Sequence, residues 1–181
     1  KELNNHSRIF DMMGFEPSHY NKINIHVGGT YGDKDKTAKR FIENFLRPGG
    51  LDENTKKRFT LENDDKASMW STKDIYDKIH HETGIPIVFD YHHHRFCTGG
   101  LTEQEALELA ASTWPEGIDP VVHVSESRAA EQGDPKIRPQ AHSDFIERQV
   151  DSYGQKHDIM LECKKKELAL LRLRSKVHAS R

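Results

Sequence analysis

A carboxylate and three imidazoles follow one another at Asp90, His92, His93 and His94, interrupted only by Tyr91. Carboxylate oxygens and imidazole nitrogens are ligands that Zn²⁺, Mn²⁺ and Fe²⁺ accept in proteins. The Asp-x-x-His spacing favours His93 as the partner of Asp90, and the choice among the three histidines stays open at this point. The segment predicts part of a metal site.

Similar side chains recur where other apolar runs end. The run 86–89 precedes Asp90, and the runs 22–27, 58–63, 120–125 and 158–164 each carry a histidine or glutamate near their end. In parallel α/β folds, functional sites form at the carboxyl ends of the strands. With one further histidine from a loop, the predicted metal ligands are His26, Glu62, Asp90, His93, His123, His142 and Glu162.

This ligand set is larger than one ion takes, so it predicts two or three ions bridged by a carboxylate. Such multinuclear sites activate a water and hold the oxygens of a phosphate during in-line displacement. Each histidine alone has a simpler interpretation, because an imidazole at a strand end is most often only hydrogen-bonded. The coincidence on five strands favours metal binding, since an unpaired buried charge is costly.

Segments with helical periodicity separate the five runs. We predict helices over 6–13, 35–46, 52–57 and 143–153, and two more that begin at Ser71 or Thr72 and at Thr102. Residues 127–138 are polar and predict a long mobile loop, and a basic helical tail covers about 165–181. Strand–helix alternation indicates parallel strands with right-handed crossovers. Because a complete (β/α)₈ barrel needs about 250 residues, we expect one α/β domain over 1–181 that forms the last five units of a TIM-type (β/α)₈ barrel.

Composition excludes several classes of protein. The chain has 181 residues, with 34% apolar and 31% charged residues, which is typical of a globular protein in solution. Its net charge of −2 does not predict a nucleic-acid binder. No apolar run reaches membrane length and no signal peptide is visible, so we expect a cytoplasmic protein with reduced Cys97 and Cys163. The first residue is Lys1 rather than Met, which leads us to expect a fragment.

Five motifs together resemble the UV damage endonuclease family, and more distantly AP endonuclease IV. The resemblance runs in the family's order from about residue 6 to residue 168. The motifs are Ile23-Asn24-Ile25-His26-Val27-Gly28-Gly29, Leu61-Glu62-Asn63-Asp64, Phe89-Asp90-Tyr91-His92-His93, His123-Val124-Ser125 and Met160-Leu161-Glu162-Cys163-Lys164.

The resemblance implies an endonuclease that nicks damaged double-stranded DNA 5′ to UV photoproducts, with divalent ions, typically manganese, on a (β/α)₈ barrel. Two or three Mn²⁺ are implied, with Zn²⁺ or Mg²⁺ as alternatives. Glu62 would bridge two ions with His26 on one of them; Asp90, His123 and Glu162 would complete the second site, and His93 and His142 would hold a third. The implied catalytic residues are Glu62, Asp90, His123 and Glu162, and DNA contacts are expected at Gly28, Gly29 and Lys164.

The chain departs from the family's pattern in two ways. Some members have a modified lysine two residues before the penultimate strand's histidine, where this chain has Val121. The family's first strands have no counterpart, so we expect an open half-barrel whose edges pair with a missing amino-terminal segment or with a second copy. Two alternative functions stay open: a non-catalytic metal- or DNA-binding module with a basic tail, and a metal-dependent sugar isomerase.

Overall fold

The computed structural model describes residues 1–179, and side chains up to residue 176. Five parallel strands form one sheet whose spatial order follows the sequence, β1-β2-β3-β4-β5. Each strand is four residues long: β1 (Ile23–His26), β2 (Phe59–Glu62), β3 (Ile87–Asp90), β4 (Val121–Val124) and β5 (Asp158–Leu161). The predicted α/β alternation of five parallel units is confirmed.

Helices precede or connect these strands. They are α1 (Glu2–Met12), α2 (Lys34–Leu46), α3 (Glu53–Arg58), α4 (Thr72–Ile75), α5 (His81–Thr83), α6 (Tyr91–His94), α7 (Glu103–Ala111), α8 (Arg128–Gln132) and α9 (Lys166–Ala179). A π-helical segment, Tyr76–His80, joins α4 to α5. None of the helices within the described part of the chain is long and apolar enough to cross a membrane.

The helix starts follow local capping chemistry. Ser71 and Thr102 each form a capping box with the acidic residue three positions on, Asp74 and Glu105. The Asp33 carboxylate accepts a hydrogen bond of 2.9 Å from the Lys36 backbone N–H and starts α2. These side chains satisfy backbone N–H groups that have no partner inside the first helical turn.

Burial differs sharply between the central and the outer strands. All four residues of each central strand, β2, β3 and β4, are buried, whereas β5 is exposed over its first three residues. The apolar core on this sheet includes Phe59, Leu61, Trp70, Ile87 and Phe89. The central strands are therefore rigid supports for whatever lies at their ends.

Two sequence predictions are wrong in the segment between β4 and β5. Residues 127–138 contain the helix α8, which begins after the N-cap Ser127 and ends at Gly133 with a φ of 63°. Residues 143–153 form no helix, and two carboxylates bind backbone N–H groups of this segment instead. The Glu131 carboxylate accepts hydrogen bonds from the backbone N–H groups of Asp144 and Phe145. The Glu126 carboxylate accepts them from the backbone N–H groups of Glu147 and Arg148.

The last strand and the tail agree more closely with expectation. β5 ends at Leu161, three residues earlier than predicted, and Ile159 and Met160 lie exposed on it. The predicted basic tail is helical as α9, and its predicted last two residues, 180 and 181, lie outside the described residues.

A buried guanidinium fixes the amino-terminal side of the sheet. Arg58, immediately before β2, is fully buried and donates to the carbonyl oxygens of Phe15, Glu16 and Asn21 and to the Asp11 carboxylate at 2.6 to 3.2 Å. It joins α1 and the following turn to the start of the central strand.

We expect Arg58→Met to lower the free energy of unfolding by about 3 kcal/mol, because several buried acceptors lose a charged donor. Urea denaturation followed by circular dichroism measures this change. The matched control is Arg8→Met, since exposed Arg8 makes only a 3.4 Å ion pair with Asp52 and is expected to cost about 0.5 kcal/mol or less. Equal losses in the two variants would contradict the assignment.

Candidate metal centre

The carboxylate of Glu62, at the end of the central strand β2, is the point on which the other side chains converge. Its Oε1 lies 3.2 Å from Nδ1 of His93 and 4.0 Å from Nε2 of His26. Its Oε2 lies 3.2 Å from Nδ1 of His123. One polar side chain from each of β1, β2 and β4, and one from the turn after β3, therefore lie close together.

Glu162 extends this cluster beyond the end of β5. One oxygen, Oε1, lies 3.0 Å from Nδ1 of His123, and the other, Oε2, lies 3.7 Å from Nδ1 of His142. One atom each from His93, His142 and Glu162 falls within 4.8 Å of the others, as does one atom each from Glu62, Asp90, His93 and Glu162. The loop histidine is thus joined to the strand-end residues.

Asp90 and His93 are placed by a single turn of helix. Asp90 is the N-cap of α6, and its Oδ1 accepts a 2.8 Å hydrogen bond from the backbone N–H of His93. This bond turns the His93 ring towards the sheet, where its Nδ1 lies 3.8 Å from Asp90 Oδ2. The Asp-x-x-His spacing works because residues three apart share one face of a helical turn.

Three of the imidazoles are oriented by backbone carbonyls. Nδ1 of His93 lies 2.9 Å from the oxygen of Asn63, that of His26 lies 3.3 Å from the oxygen of Glu62, and that of His142 lies 3.1 Å from the oxygen of Glu162. If Nδ1 of a neutral ring donates to its carbonyl, Nε2 keeps a lone pair that a metal ion could use.

Buried donor atoms without hydrogen bonds test whether a cation fits this cluster. Glu62 Oε1, Asp90 Oδ2 and His123 Nδ1 are buried, and their imidazole–carboxylate contacts at 3.0 to 3.8 Å do not have the geometry of hydrogen bonds. Buried polar atoms are normally satisfied, so each such atom calls for an explanation. A divalent ion held by these oxygens and nitrogens would satisfy all three, and the donor set suits such an ion.

The pKa values of the clustered carboxyl and imidazole groups are shifted by burial and by one another. Burial raises the pKa of Asp90 to about 6. Burial alone would raise the pKa of Glu62, but the imidazoles of His123 and His93, each 3.2 Å away, outweigh it and hold that pKa low. The carboxylates raise the pKa of His93 to about 9 and that of His123 to about 10, against the effect of burial. A metal ion bound here would displace these protons.

Among the three consecutive histidines, only His93 enters the candidate metal groups of the described residues. His92 lies 3.1 Å from the carbonyl oxygen of Gln140 through its Nε2, and burial lowers its pKa to about 4. His94 packs against Phe89, with ring centroids 5.3 Å apart. The structure thus brings together all seven residues predicted as ligands, and their binding of metal stays a prediction.

The other residues singled out from the sequence lie around the cluster. Gly28 and Gly29 follow β1 and are exposed, as is Lys164 two residues beyond Glu162. Cys97 is buried, and burial raises the pKa of its thiol to about 11, which agrees with a packing role. The centre itself is open to solvent on the side of His26, whose side chain is 42% exposed.

Sequence reasoning missed a supporting layer. Asn24 donates a 2.6 Å hydrogen bond to Glu62 Oε2 and accepts one of 3.0 Å from the Thr60 hydroxyl. Asn63 exchanges two hydrogen bonds with the backbone of Asp90, at 2.8 and 3.0 Å. Asp64 Oδ1 lies 3.5 Å from Nδ1 of His26. The available signal for Asn24 was its position two residues before His26, on the same face of β1.

A five-unit parallel α/β half-barrel with imidazoles and carboxylates gathered at its strand ends defines a barrel-type protein whose clustered residues are compatible with divalent metal ions. The whole chain, residues 1–181, matches the family described as UV-endonuclease UvdE. The chain belongs to this family.

Individual relatives agree with the family match. The chain is 38% identical to the UV DNA damage endonuclease of Bacillus cereus (strain G9842), with 99% of this chain and 55% of that protein covered. It is 36% identical to that of Bacillus mycoides (strain KBAB4), covering 95% and 53%. The crystal structure of SacUVDE superposes with a TM-score of 0.78 at 34% identity, covering 98% of this chain and 57% of the other. The chain spans about half the length of these relatives.

We expect Asn24→Ala to weaken Mn²⁺ binding about tenfold or more, because Glu62 loses the donor that orients it. Isothermal titration calorimetry measures the affinity. The control is Asn54→Ala, which removes an exposed hydrogen bond to Asp11 away from the site and should leave the affinity unchanged within about twofold. An unchanged affinity in Asn24→Ala would show that Glu62 does not need this support.

Proposed function

We propose that this chain carries the metal centre of a DNA repair endonuclease that nicks the backbone of damaged double-stranded DNA 5′ to UV photoproducts. The single observation that carries the proposal is the clustering of six imidazole and carboxylate residues around Glu62, directly or through Glu162, with buried ligand-type atoms that lack aligned hydrogen bonds. Family membership supports the substrate class, since the relatives are named UV DNA damage endonucleases. A bacterial cytoplasmic, nucleoid-associated location is part of the proposal.

The proposed cofactors are two or three Mn²⁺ ions, with Zn²⁺ or Mg²⁺ as alternatives. Glu62 and His26 would hold one ion, Asp90, His123 and Glu162 a second, and His93 and His142 a third, and Glu62 would be shared between two of them. When bound, such ions activate water and neutralise the charge that develops on a phosphate during in-line displacement.

The protein's own residues prepare the site for this chemistry. Asn24 holds one Glu62 oxygen and leaves the second facing His93 and His26. The backbone N–H of His93 holds Asp90 Oδ1 and leaves the buried Oδ2 directed at the cluster. The deep side chains exclude water, whereas the exposed His26 side admits a phosphate. This preorganisation is what electrostatic catalysis needs from a protein.

Two alternatives belong to other classes. A module that binds metal or DNA without cleaving it is supported by the cationic residues of α9 and by the chain's coverage of half of its relatives. A sugar isomerase would use a similar barrel and two ions, and would act on aldoses. Activity on irradiated plasmid against activity on aldoses separates these functions.

We expect the chain to bind two or more Mn²⁺, and Asp90→Ala and Glu162→Ala to lose at least one ion each or to bind it more than tenfold more weakly. Calorimetry and elemental analysis count the ions. Asp119→Ala is the matched control, because Asp119 pairs with Lys156 at the surface and should leave the count unchanged. Equal counts in all four proteins would contradict the metal centre.

Nicking is measured as the conversion of supercoiled plasmid to open circles. With Mn²⁺ we expect conversion of irradiated plasmid, none with chelator present, and little with unirradiated plasmid. Full metal binding without nicking would favour the binding module.

We further propose that the exposed edge strand β5 pairs with another polypeptide, either a second copy or a preceding segment of the barrel. Unpaired strands readily accept another strand, and Ile159 and Met160 are exposed on this one.

Sedimentation velocity is expected to show self-association that Ile159→Lys reduces, because a charge in the edge opposes pairing. The control is Ile9→Lys, an equally exposed isoleucine on α1. A compact, stable monomer at all concentrations would exclude self-association by the isolated chain.

A further inference from the structure

Tyr31 is an exposed aromatic residue in the loop that leaves β1 next to the metal centre. Its side chain is 81% exposed and its φ is 50°, a backbone conformation that bulky residues rarely adopt. Glycines on either side, Gly28 and Gly32, also have positive φ values of 98° and 78°. The loop thus turns sharply on both sides of the tyrosine and presents its ring to solvent.

Hydrogen bonds hold this loop in place. The indole N–H of buried Trp70 donates to the Gly28 carbonyl oxygen at 2.7 Å. The Thr30 carbonyl oxygen accepts from the Thr37 hydroxyl at 2.9 Å and from the Asp33 N–H at 3.0 Å. Tyr31 therefore sits on a fixed support, which lowers the entropy that a contact with a ligand would cost.

The Tyr31 ring forms the ridge between two surface depressions. One, of about 590 Å³, extends along α2, and the other, of about 230 Å³, extends back over Gly28 and Gly29. Tyr31, Thr37 and Arg40 line both depressions. The guanidinium carbon of Arg40 lies 4.9 Å from the ring centroid, so a cation supports the aromatic ring.

Cationic side chains continue from this ridge along the larger depression. Lys36, Lys39 and Arg40 line it, and none of them forms an ion pair with another described residue. Two acids, Asp33 and Glu43, also line it, and Asp33 lies at its edge as the N-cap of α2. The three cationic side chains therefore outnumber the two carboxylates on this surface, although the chain as a whole carries −2.

We propose that this surface, Tyr31 with Lys36, Lys39 and Arg40, binds a nucleic-acid strand next to the metal centre. An unpaired base stacks on the Tyr31 ring, and the cationic side chains contact the phosphates that flank it. Aromatic platforms beside a positive groove are the physical basis of single-strand binding. The inference rests on the proposed function, since it names the part of this chain that holds the strand to be cut.

The position of the surface agrees with this role. Tyr31 is five residues beyond His26 in the sequence, so their Cα atoms are at most about 18 Å apart. A nucleic-acid strand that passes over the exposed His26 side of the centre can therefore reach Tyr31 without bending back. Tyr20, which is 69% exposed, lies before β1 and so at the opposite end of the strand.

Fluorescence anisotropy with labelled single-stranded oligothymidine, in chelator, measures binding independently of metal and of cleavage. We expect Tyr31→Ala to weaken binding about tenfold, which corresponds to the loss of one stacked base. Tyr31→Phe, which keeps the ring, should bind within about twofold of the unmodified chain, and so should the matched control Tyr20→Ala. The double variant Lys36→Ala/Lys39→Ala should reduce the slope of affinity against salt concentration.

Two results would overturn the inference: no binding of oligothymidine by the unmodified chain, or equal affinities of Tyr31→Ala and Tyr20→Ala. Circular dichroism of each variant verifies that it is folded. The outcome is separable from that of the proposed function. If the chain binds metal and nicks DNA while Tyr31→Ala leaves the oligothymidine affinity unchanged, the endonuclease proposal stands and the strand-binding surface is excluded. If oligothymidine binding depends on Tyr31 but no nicking occurs, the strand-binding surface stands and the endonuclease proposal fails.

Discussion

The burial of the Glu62 carboxylate is the constraint on which the rest of the site depends. A carboxylate at the end of a fully buried central strand must be compensated, because a lone buried charge costs far more than one contact repays. Here the compensation comes from the imidazoles of His93 and His123 and from the amide of Asn24. Each of these partners lies on a different element, so satisfying one carboxylate fixes the relative positions of β1, β2, β4 and the turn after β3.

The register of the parallel strands brings the compensating side chains together at one level of the sheet. His26 is paired in register with Glu62, and Asp90 with His123, so that neighbouring strands end at nearly the same level. Side chains on alternate residues share one face of the sheet, which places Asn24 beside His26 and directs both towards Glu62. A shift of one residue in either pair would turn the polar groups to the opposite face and disperse the site.

This register explains why most of the fold and the clustering of the candidate ligands can be predicted from the sequence. Five apolar runs that each end in a ligand-type residue need only the rule that parallel strands end together. The choice of His93 over His92 and His94 follows from the turn that Asp90 caps, which the spacing already indicated. The segment 143–153 shows where such reasoning stops. Its apolar spacing is helical, yet Glu126 and Glu131 bind four of its backbone N–H groups, and no local pattern reveals those distant partners.

The two ends of the central strand β2 differ in how their buried polar groups are satisfied. At its amino end, fully buried Arg58 directs both terminal nitrogens of its guanidinium at carbonyl oxygens and a carboxylate supplied by the chain itself. At its carboxyl end, Glu62 Oε1, Asp90 Oδ2 and His123 Nδ1 converge without hydrogen bonds. The hydrogen bonds of the two terminal nitrogens stabilise the fold without a ligand, although Nε of Arg58 is buried without a hydrogen bond among the described residues. Three buried ligand-type atoms that face one another without aligned hydrogen bonds are only partly compensated by their neighbours, and a bound cation would complete that compensation. In barrel enzymes the same division places stability at the amino ends of the strands and chemistry at their carboxyl ends.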